Sequence, residues 1–166
     1  MRAVLQRVTR ARVTVDGFSV GSVGRGLVVY VGVGEGDGPA EAEWLARRIA
    51  DLRLFPADER TEESDPERTT ERPMDRSLLD VHGAALIVSQ FTLYADTRKG
   101  RRPSFFEAAA PEAAAPLIES VCAHLSAAGV HVASGSFGAH MVVESTNDGP
   151  VTILLDSADR GRSNED

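Results

Sequence analysis

Two short runs, Ser89-Gln90-Phe91-Thr92-Leu93 and Asn147-Asp148-Gly149-Pro150-Val151-Thr152, hold the residue types best suited to chemistry in this 166-residue chain. Each follows an apolar, strand-like stretch and places small polar groups where a core strand would want bulk. Gly-Pro is the dipeptide in which a cis peptide is cheapest and the backbone carbonyls are least shielded. Main chain exposed in that way can test the shape and handedness of a ligand without a reactive side chain. Ser89 and Gln90 stand at a strand terminus, the usual place for ligand contacts in layered α/β proteins. Thr92 and Thr152 are nucleophile candidates, but both read as strand threonines with no evident base nearby in sequence. Arg98, Lys99, Arg101 and Arg102 follow the first run in a basic loop. Such a loop is either a solvated charged turn or a contact for a phosphate-bearing substrate.

Other chemistries find little support. His82, His124, His131 and His140 occur without an HExxH pattern or a Cys/His cluster, so no metal site is expected, and no cofactor. There is no Gly-x-Ser-x-Gly elbow, and no Ser-His-Asp triad can be assembled. Gly32, Gly34, Gly36 and Gly38 lack the Lys-Ser/Thr that would complete a phosphate loop. Cys122 is the only cysteine, reads as a core residue on a helix stripe, and fits a reducing compartment. The formal net charge is −7, yet the stretch 57–72 alone has seven acids against three arginines. The overall sign is therefore a poor guide to what a local site presents.

The elements that must position these runs are legible in the periodicity. Val13 and Val15, then Phe18 and Val20, flank Asp16-Gly17, a two-residue hairpin turn. Leu27 to Val31 is a continuous apolar run of central-strand type. Pro39 suits the first position of a helix, and Leu45, Ile49 and Leu52 give its core stripe over about 39–52. Ala84 to Leu93 reads as a buried strand with the first run at its end. A second helix lies in 111–128, with Leu117, Ile118, Val121, Cys122 and Leu125 inward and Gly129 as its stop. Pro116 leaves two options: the helix starts near it, or a first turn from Pro111 is kinked by it. Strands at 130–136, 139–145 and 151–155 complete an order of about β-β-β-α-β-α-β-β-β. That order predicts a mixed, layered, β-rich α/β fold of two sheets and two main helices. A single domain is expected over 1–156, with a flexible acidic insertion at 57–72 and a polar tail at 157–166. No apolar run approaches the roughly 20 residues that span a bilayer, and Met1 to Arg7 reads at once as strand. A cytoplasmic protein with no membrane association is expected.

Taken in order, six segments resemble one family, the D-aminoacyl-tRNA deacylases (D-Tyr-tRNA deacylase family). They are Met1 to Val8, Ser77-Leu78-Leu79-Asp80, SQFTL at 89–93, the loop ending Arg102-Pro103-Ser104-Phe105, Phe137-Gly138-Ala139-His140-Met141, and NDGPVT at 147–152. The resemblance covers nearly the whole chain. It departs in the acidic excursion, longer than the family usually has, and in the polar tail. The resemblance implies a homodimeric hydrolase of translation quality control, which cleaves D-aminoacyl esters from the 3′ end of tRNA and also acts on glycyl-tRNA. It implies that Gly149 and Pro150, joined by a cis bond, enter the partner subunit's active site and reject L side chains, with Val151 and Thr152 beside them. It further implies that Ser89, Gln90, Phe91 and Thr92 hold the ester and terminal ribose, that Phe137 and Met141 line the pocket, and that the 2′-hydroxyl of the RNA assists the attacking water. Arg98, Lys99, Arg101 and Arg102 would then contact tRNA. Three rivals stand beside it: a related branch with a trans Gly-Pro bond that accepts misacylated L-alanyl-tRNA, a non-catalytic tRNA-binding module, and a threonine-nucleophile hydrolase. The module would need an aromatic platform, and aromatics are only 5% of the chain, with no clustering on one strand.

Overall fold

The computed structural model describes residues 1–57 and 74–161. Its elements are β1 (Arg2–Val15), β2 (Phe18–Val23), β3 (Gly26–Gly32), α1 (Pro39–Asp51), β4 (Ala84–Ser89), α2 (Pro111–Ala127), β5 (His131–Ser134) and β6 (Val142–Asp156). The expected mixed, β-rich α/β architecture with two helices is present. The strands form one connected sheet in the order β2-β1-β3-β4-β5, with β6 added on β1, where two sheets were expected. The length of β1 explains the difference. One edge pairs with β3 through residues 2–8 and with β2 through 11–15, while the other pairs with β6 over residues 2–14. A right-twisted sheet organised on so long a strand curls on itself. It nearly closes: a Cβ placed on Gly21 of β2 would lie 2.6 Å from the Ser134 carbonyl of β5.

The curl creates two cores on opposite faces of the same strands. Leu5, Leu27, Val29, Val31, Ala85 and Ile87 face α1 and α2, meeting Leu45, Ile49, Val121 and Leu125. Val8, Val13, Val28, Leu86 and Val88 fill the inside of the curl. β3 is buried on both sides, which is why Leu27 to Val31 shows no polar alternation. Each fully buried side chain of this kind contributes about 1.5–3 kcal/mol. Asp16 and Gly17 both take positive φ, 50° and 82°, as the tight hairpin requires.

Several boundaries differ from expectation. The strand begun at Ala84 stops at Ser89, and Phe91–Tyr94 form a 3-10 turn. α2 falls within the expected 111–128 and takes the option that starts at Pro111, carrying Pro116 inside it, exposed. Of the strand expected at 139–145 only residues 142–145 are strand, and they are continuous with the one expected at 151–155 as β6. Ser157 to Asp159, read as tail, form a short turn in which Ser157 is buried and its N–H donates to the Met1 carbonyl at 2.8 Å. Residues 58–73 and 162–166, to which the rest of the expected insertion and tail belong, lie outside the described residues. No helix among the described residues is long and apolar enough to cross a membrane.

The β3–β4 junction admits no side chain at Gly26, where a Cβ would lie 1.8 Å from the Ala84 carbonyl. Gly26→Ala should therefore destabilise the protein by about 1–3 kcal/mol. Gly24→Ala, two residues away with nothing within 4 Å, should stay within about 0.5 kcal/mol of the parent. Urea unfolding of the pair measures the difference.

Candidate active site

The turn carrying the first run is held from behind. The N–H of Gln90 donates to the Val31 carbonyl at 2.8 Å, and the N–H of Leu93 donates to the Gln90 carbonyl at 3.3 Å. Tyr94 closes the turn and is buried. Its ring packs so closely on the main chain of Gly34 that a Cβ there would sit 2.6 Å from it. Gly34, the second residue after β3, therefore seats an aromatic ring. The Tyr94 hydroxyl donates to Asp37 Oδ2 at 3.2 Å, and Asp37 also accepts from the Gly34 N–H at 2.6 Å. The Arg2 guanidinium lies 4.4 Å from the Tyr94 ring centre and donates to the Leu93 carbonyl at 3.1 Å. Burial first, and then the Asp37 carboxylate, push the Tyr94 phenol far above its ordinary value.

A cavity of about 430 Å³ opens in front of this turn. Ser89, Gln90 and Phe91 form one wall, and the segment Phe137 to Met141, between β5 and β6, forms the facing one. Val31 and Val88 contribute from the strands, and Ala114 and Ile118 from α2. Gly135 makes room for Met141, since a Cβ on it would lie 2.5 Å from the Met141 sulfur. Phe91 and Phe137 remain 57% and 42% exposed, so each ring is only partly covered by the protein. Thr92 receives a hydrogen bond from the Gln90 side-chain amide but does not line the cavity. It also sits in the 3-10 turn, where a strand position was expected, because Tyr94 turns the chain back onto Gly32 and Gly34.

Sequence reasoning brought Ser89, Gln90, Phe91, Phe137 and Met141 to the cavity. It missed His140, Ala109 and Pro111, which also line it. The small residues preceding α2 carry no chemical signature. The position of His140 between Ala139 and Met141, inside a segment already singled out, is the one signal that could have pointed to it.

The second run lies elsewhere in the chain. Thr152 pairs with Gln6 and Asn147 with Val8, so 148–151 bulge from β6 opposite a single residue of β1, Arg7. Arg7 secures the bulge. Its guanidinium donates to the Asp148 carbonyl at 3.2 Å and to the Leu54 carbonyl at 2.6 Å, and pairs with the Asp148 carboxylate at 3.0 Å. Inside the bulge the Val151 N–H donates to Asn147 Oδ1 at 3.1 Å, and Val151 itself is buried. Gly149 takes φ +123°, and the Gly149–Pro150 peptide is cis. Gly149 and Pro150 are exposed. Neither they, Val151 nor Thr152 line the cavity of the same chain.

The basic loop is closed by a two-way bridge in which Asp96 and Ser104 exchange N–H···O bonds of 2.7 and 2.9 Å. Within it Arg98 pairs with Asp96 at 2.8 Å. The Arg98 guanidinium and backbone N–H hold the Asp96 carboxyl down at about 2, and Asp96 raises the Arg98 value in turn. Arg98 is thus already neutralised by a neighbouring acid, which the run of basic residues concealed. Lys99, Arg101 and Arg102 are exposed. Beyond the loop, the Phe105 ring meets Phe91 edge to face with centroids 5.0 Å apart. Aromatic residues that are scattered in sequence therefore gather at the cavity.

Fold and cavity together define a mixed α/β protein with a cavity lined by strands of a curled sheet and by a helix. The profile of the family described as D-Tyr-tRNA(Tyr) deacylase matches residues 4–156. A D-aminoacyl-tRNA deacylase of Thermomicrobium roseum is 57% identical over 164 residues, covering 98% of this chain and 99% of that protein. Another from Roseiflexus castenholzii is 56% identical over 158 residues, covering 95% of this chain and 93% of the relative. A solved structure named c-Myc DNA Unwinding Element Binding Protein superposes with a TM-score of 0.81 at 38% identity, covering 95% of this chain and 99% of that one. A probable eukaryotic D-amino acid tRNA deacylase shares the fold, at a TM-score of 0.74, 21% identity and coverage of 93% and 97%. The chain belongs to the D-Tyr-tRNA(Tyr) deacylase family, a family of hydrolases.

Tyr94→Phe removes the phenol that holds the turn to Asp37, and should cost about 1 kcal/mol near neutral pH. A raised phenol means that the native state keeps its proton while the unfolded chain begins to lose it near pH 10. The parent should therefore lose stability as pH rises past that point, and the Phe variant should lose less. Denaturant midpoints of both proteins on either side of that pH would show the two curves converging.

Proposed function

We propose that this chain hydrolyses the ester between a D-amino acid and the 3′-terminal adenosine of tRNA, and that it acts in the same way on glycyl-tRNA mischarged on tRNA-Ala. The observation that carries the reading is the cavity bounded by Ser89 to Phe91 and by Phe137 to Met141, in a chain that belongs to this family over residues 4–156. Apolar walls with a polar edge suit an aminoacyl group whose ester end must stay oriented. Ser89 and Gln90 hold the ester and the terminal ribose, and Thr92 fixes the Gln90 amide. The N–H groups at the start of the Phe91–Tyr94 turn precede its first internal bonds and are donors for a developing oxyanion. Such donors are worth about 3–4 kcal/mol in the transition state. The 2′-hydroxyl of the RNA assists the attacking water, so no protein nucleophile is required.

Rejection of L substrates falls to the main chain of Gly149 and Pro150, delivered by a second copy of the chain. Their exposure outside the cavity of their own chain, on a bulge fixed by Arg7 and Asn147, supports delivery in trans. Two carbonyls on a pinned backbone exclude an L side chain by collision and cannot rotate aside as a side chain would. A D side chain points away, and glycine has nothing to collide. Lys99, Arg101 and Arg102 supply positive charge for the RNA backbone, with Arg98 tied to Asp96. The work is proofreading in the cytoplasm.

Purified protein should release D-tyrosine from D-Tyr-tRNA while leaving L-Tyr-tRNA largely intact. Equal rates on both would defeat the reading. Faster release from L-alanyl-tRNA would transfer the chain to the related branch, although Ser89 and Phe91 are retained here. Thr92→Ala and Thr152→Ala should each retain turnover, Thr92→Ala at a reduced rate because the Gln90 amide loses its anchor, and an acyl-enzyme trapped at either position would contradict the mechanism. Gly149→Ala brings a Cβ to 2.8 Å from a Val151 methyl and 3.1 Å from the Arg7 guanidinium at a φ that L residues rarely adopt. It should lower kcat/KM on D-Tyr-tRNA by roughly 10–100-fold.

A further inference from the structure

Phe106 is 92% exposed, the largest exposure among the large hydrophobic side chains of the described residues. A lone surface aromatic is ordinary. The placement of this one is not. It occupies the turn Phe105 to Ala108, closed by the Ala108 N–H donating to the Phe105 carbonyl at 3.0 Å. The chain is pinned on both sides of it. Phe105 stacks edge-on against Phe91 on the cavity wall, and the Ala109 N–H donates to the Val33 carbonyl at 3.0 Å while Ala109 lines the cavity. The Glu35 N–H donates to the Glu107 carbonyl at 2.9 Å, anchoring the turn a third time. An exposed apolar ring is thus carried on a fixed turn whose flanking residues reach the cavity, Phe105 through its contact with Phe91 and Ala109 in the lining. The loop just before it, closed at Asp96 and Ser104, carries exposed Lys99, Arg101 and Arg102. Asp96 is engaged by Arg98, and Glu107 is the other acid close to that arginine.

An exposed ring on a fixed turn directly following a loop of exposed basic side chains is a combination suited to single-stranded nucleic acid, the ring stacking a base and the cations tracking phosphates. We infer that Phe106 is the stacking platform for the unpaired base preceding the 3′-terminal nucleotide of the bound RNA. The inference rests on the deacylase reading, in which the cavity takes the terminal aminoacyl-adenosine and the next nucleotide must leave across the rim. Every base offers a π face, so the contact positions the strand without reading its sequence.

The test compares D-tyrosyl-tRNA with the minimal ester 3′-O-D-tyrosyl-adenosine, which has no preceding base. The parent should show a lower KM for the tRNA, and Phe106→Ala should lose roughly 5–150-fold of that preference. Phe106→Trp should retain it. An unchanged preference in Phe106→Ala, or equal loss in Phe106→Trp, would overturn the assignment. So would a change in mass by light scattering for Phe106→Ala, which would make the ring a contact between copies of the chain. A trinucleotide with 2-aminopurine in the penultimate position reports stacking without catalysis. Its fluorescence should be quenched by the parent and not by Phe106→Ala, and equal quenching by both would refute the platform. If the parent cleaves neither ester, the deacylase reading fails by itself and this titration still decides the stacking.

Discussion

Everything in this molecule depends on the use of both edges of β1. Strands at the edge of a sheet leave a row of unpaired backbone groups, and a 14-residue strand leaves many. Here β2 and β3 share one edge and β6 takes the other. Such pairing curls the sheet, buries β3 on both faces and divides the apolar residues into an inner core and a helix-facing one. It also sets the two chemical runs on different strands of the curl. The first lies at the end of β4 beside the cavity, and the second lies in β6, against β1.

Both runs are departures from regular strand, and each departure is fastened by side chains from β1. Arg2 lies over Tyr94 and bonds the Leu93 carbonyl, holding the turn that presents Phe91. Arg7 holds the bulge that presents Gly149 and Pro150. Irregular backbone that must present main-chain groups in fixed directions needs its own polar groups satisfied from outside the ladder. Two arginines five positions apart on one strand do this for both sites. The Gln90 and Asn147 side chains complete the work locally by bonding Thr92 and Val151.

Charge shows why a sum over the chain misleads. The chain is acidic overall, with a net −7, yet Lys99, Arg101 and Arg102 are exposed on a loop whose nearest acid, Asp96, is already paired. Interactions at a solvated surface act over about a Debye length, roughly 8–10 Å. A polyanion meeting that loop responds to those cations and little to acids elsewhere.

Local signals were legible wherever one physical rule acts over a few residues. The Asp16-Gly17 turn, the two-face burial of Leu27 to Val31, the start of α1 at Pro39 and the unusual polarity of SQFTL and NDGPVT follow from φ preference, hydrophobic period and turn chemistry. Where long-range pairing competes with local preference, the reading shifted. Residues 142–145 and 151–155 are one strand because β1 pairs with both sides of the bulge, and Thr92 left the strand because Tyr94 had a glycine floor to pack on. Residue types and their spacing by themselves determined which segments stand out from the core pattern and which family the chain resembles. Only the tertiary structure decided that Phe91 and Phe105 meet beside the cavity, that Arg98 is paired with Asp96, and that the Gly149–Pro150 main chain lies outside the cavity of its own chain. Proximity across a curled sheet is set by strand register, and register is a property of the pairing partner as much as of the strand.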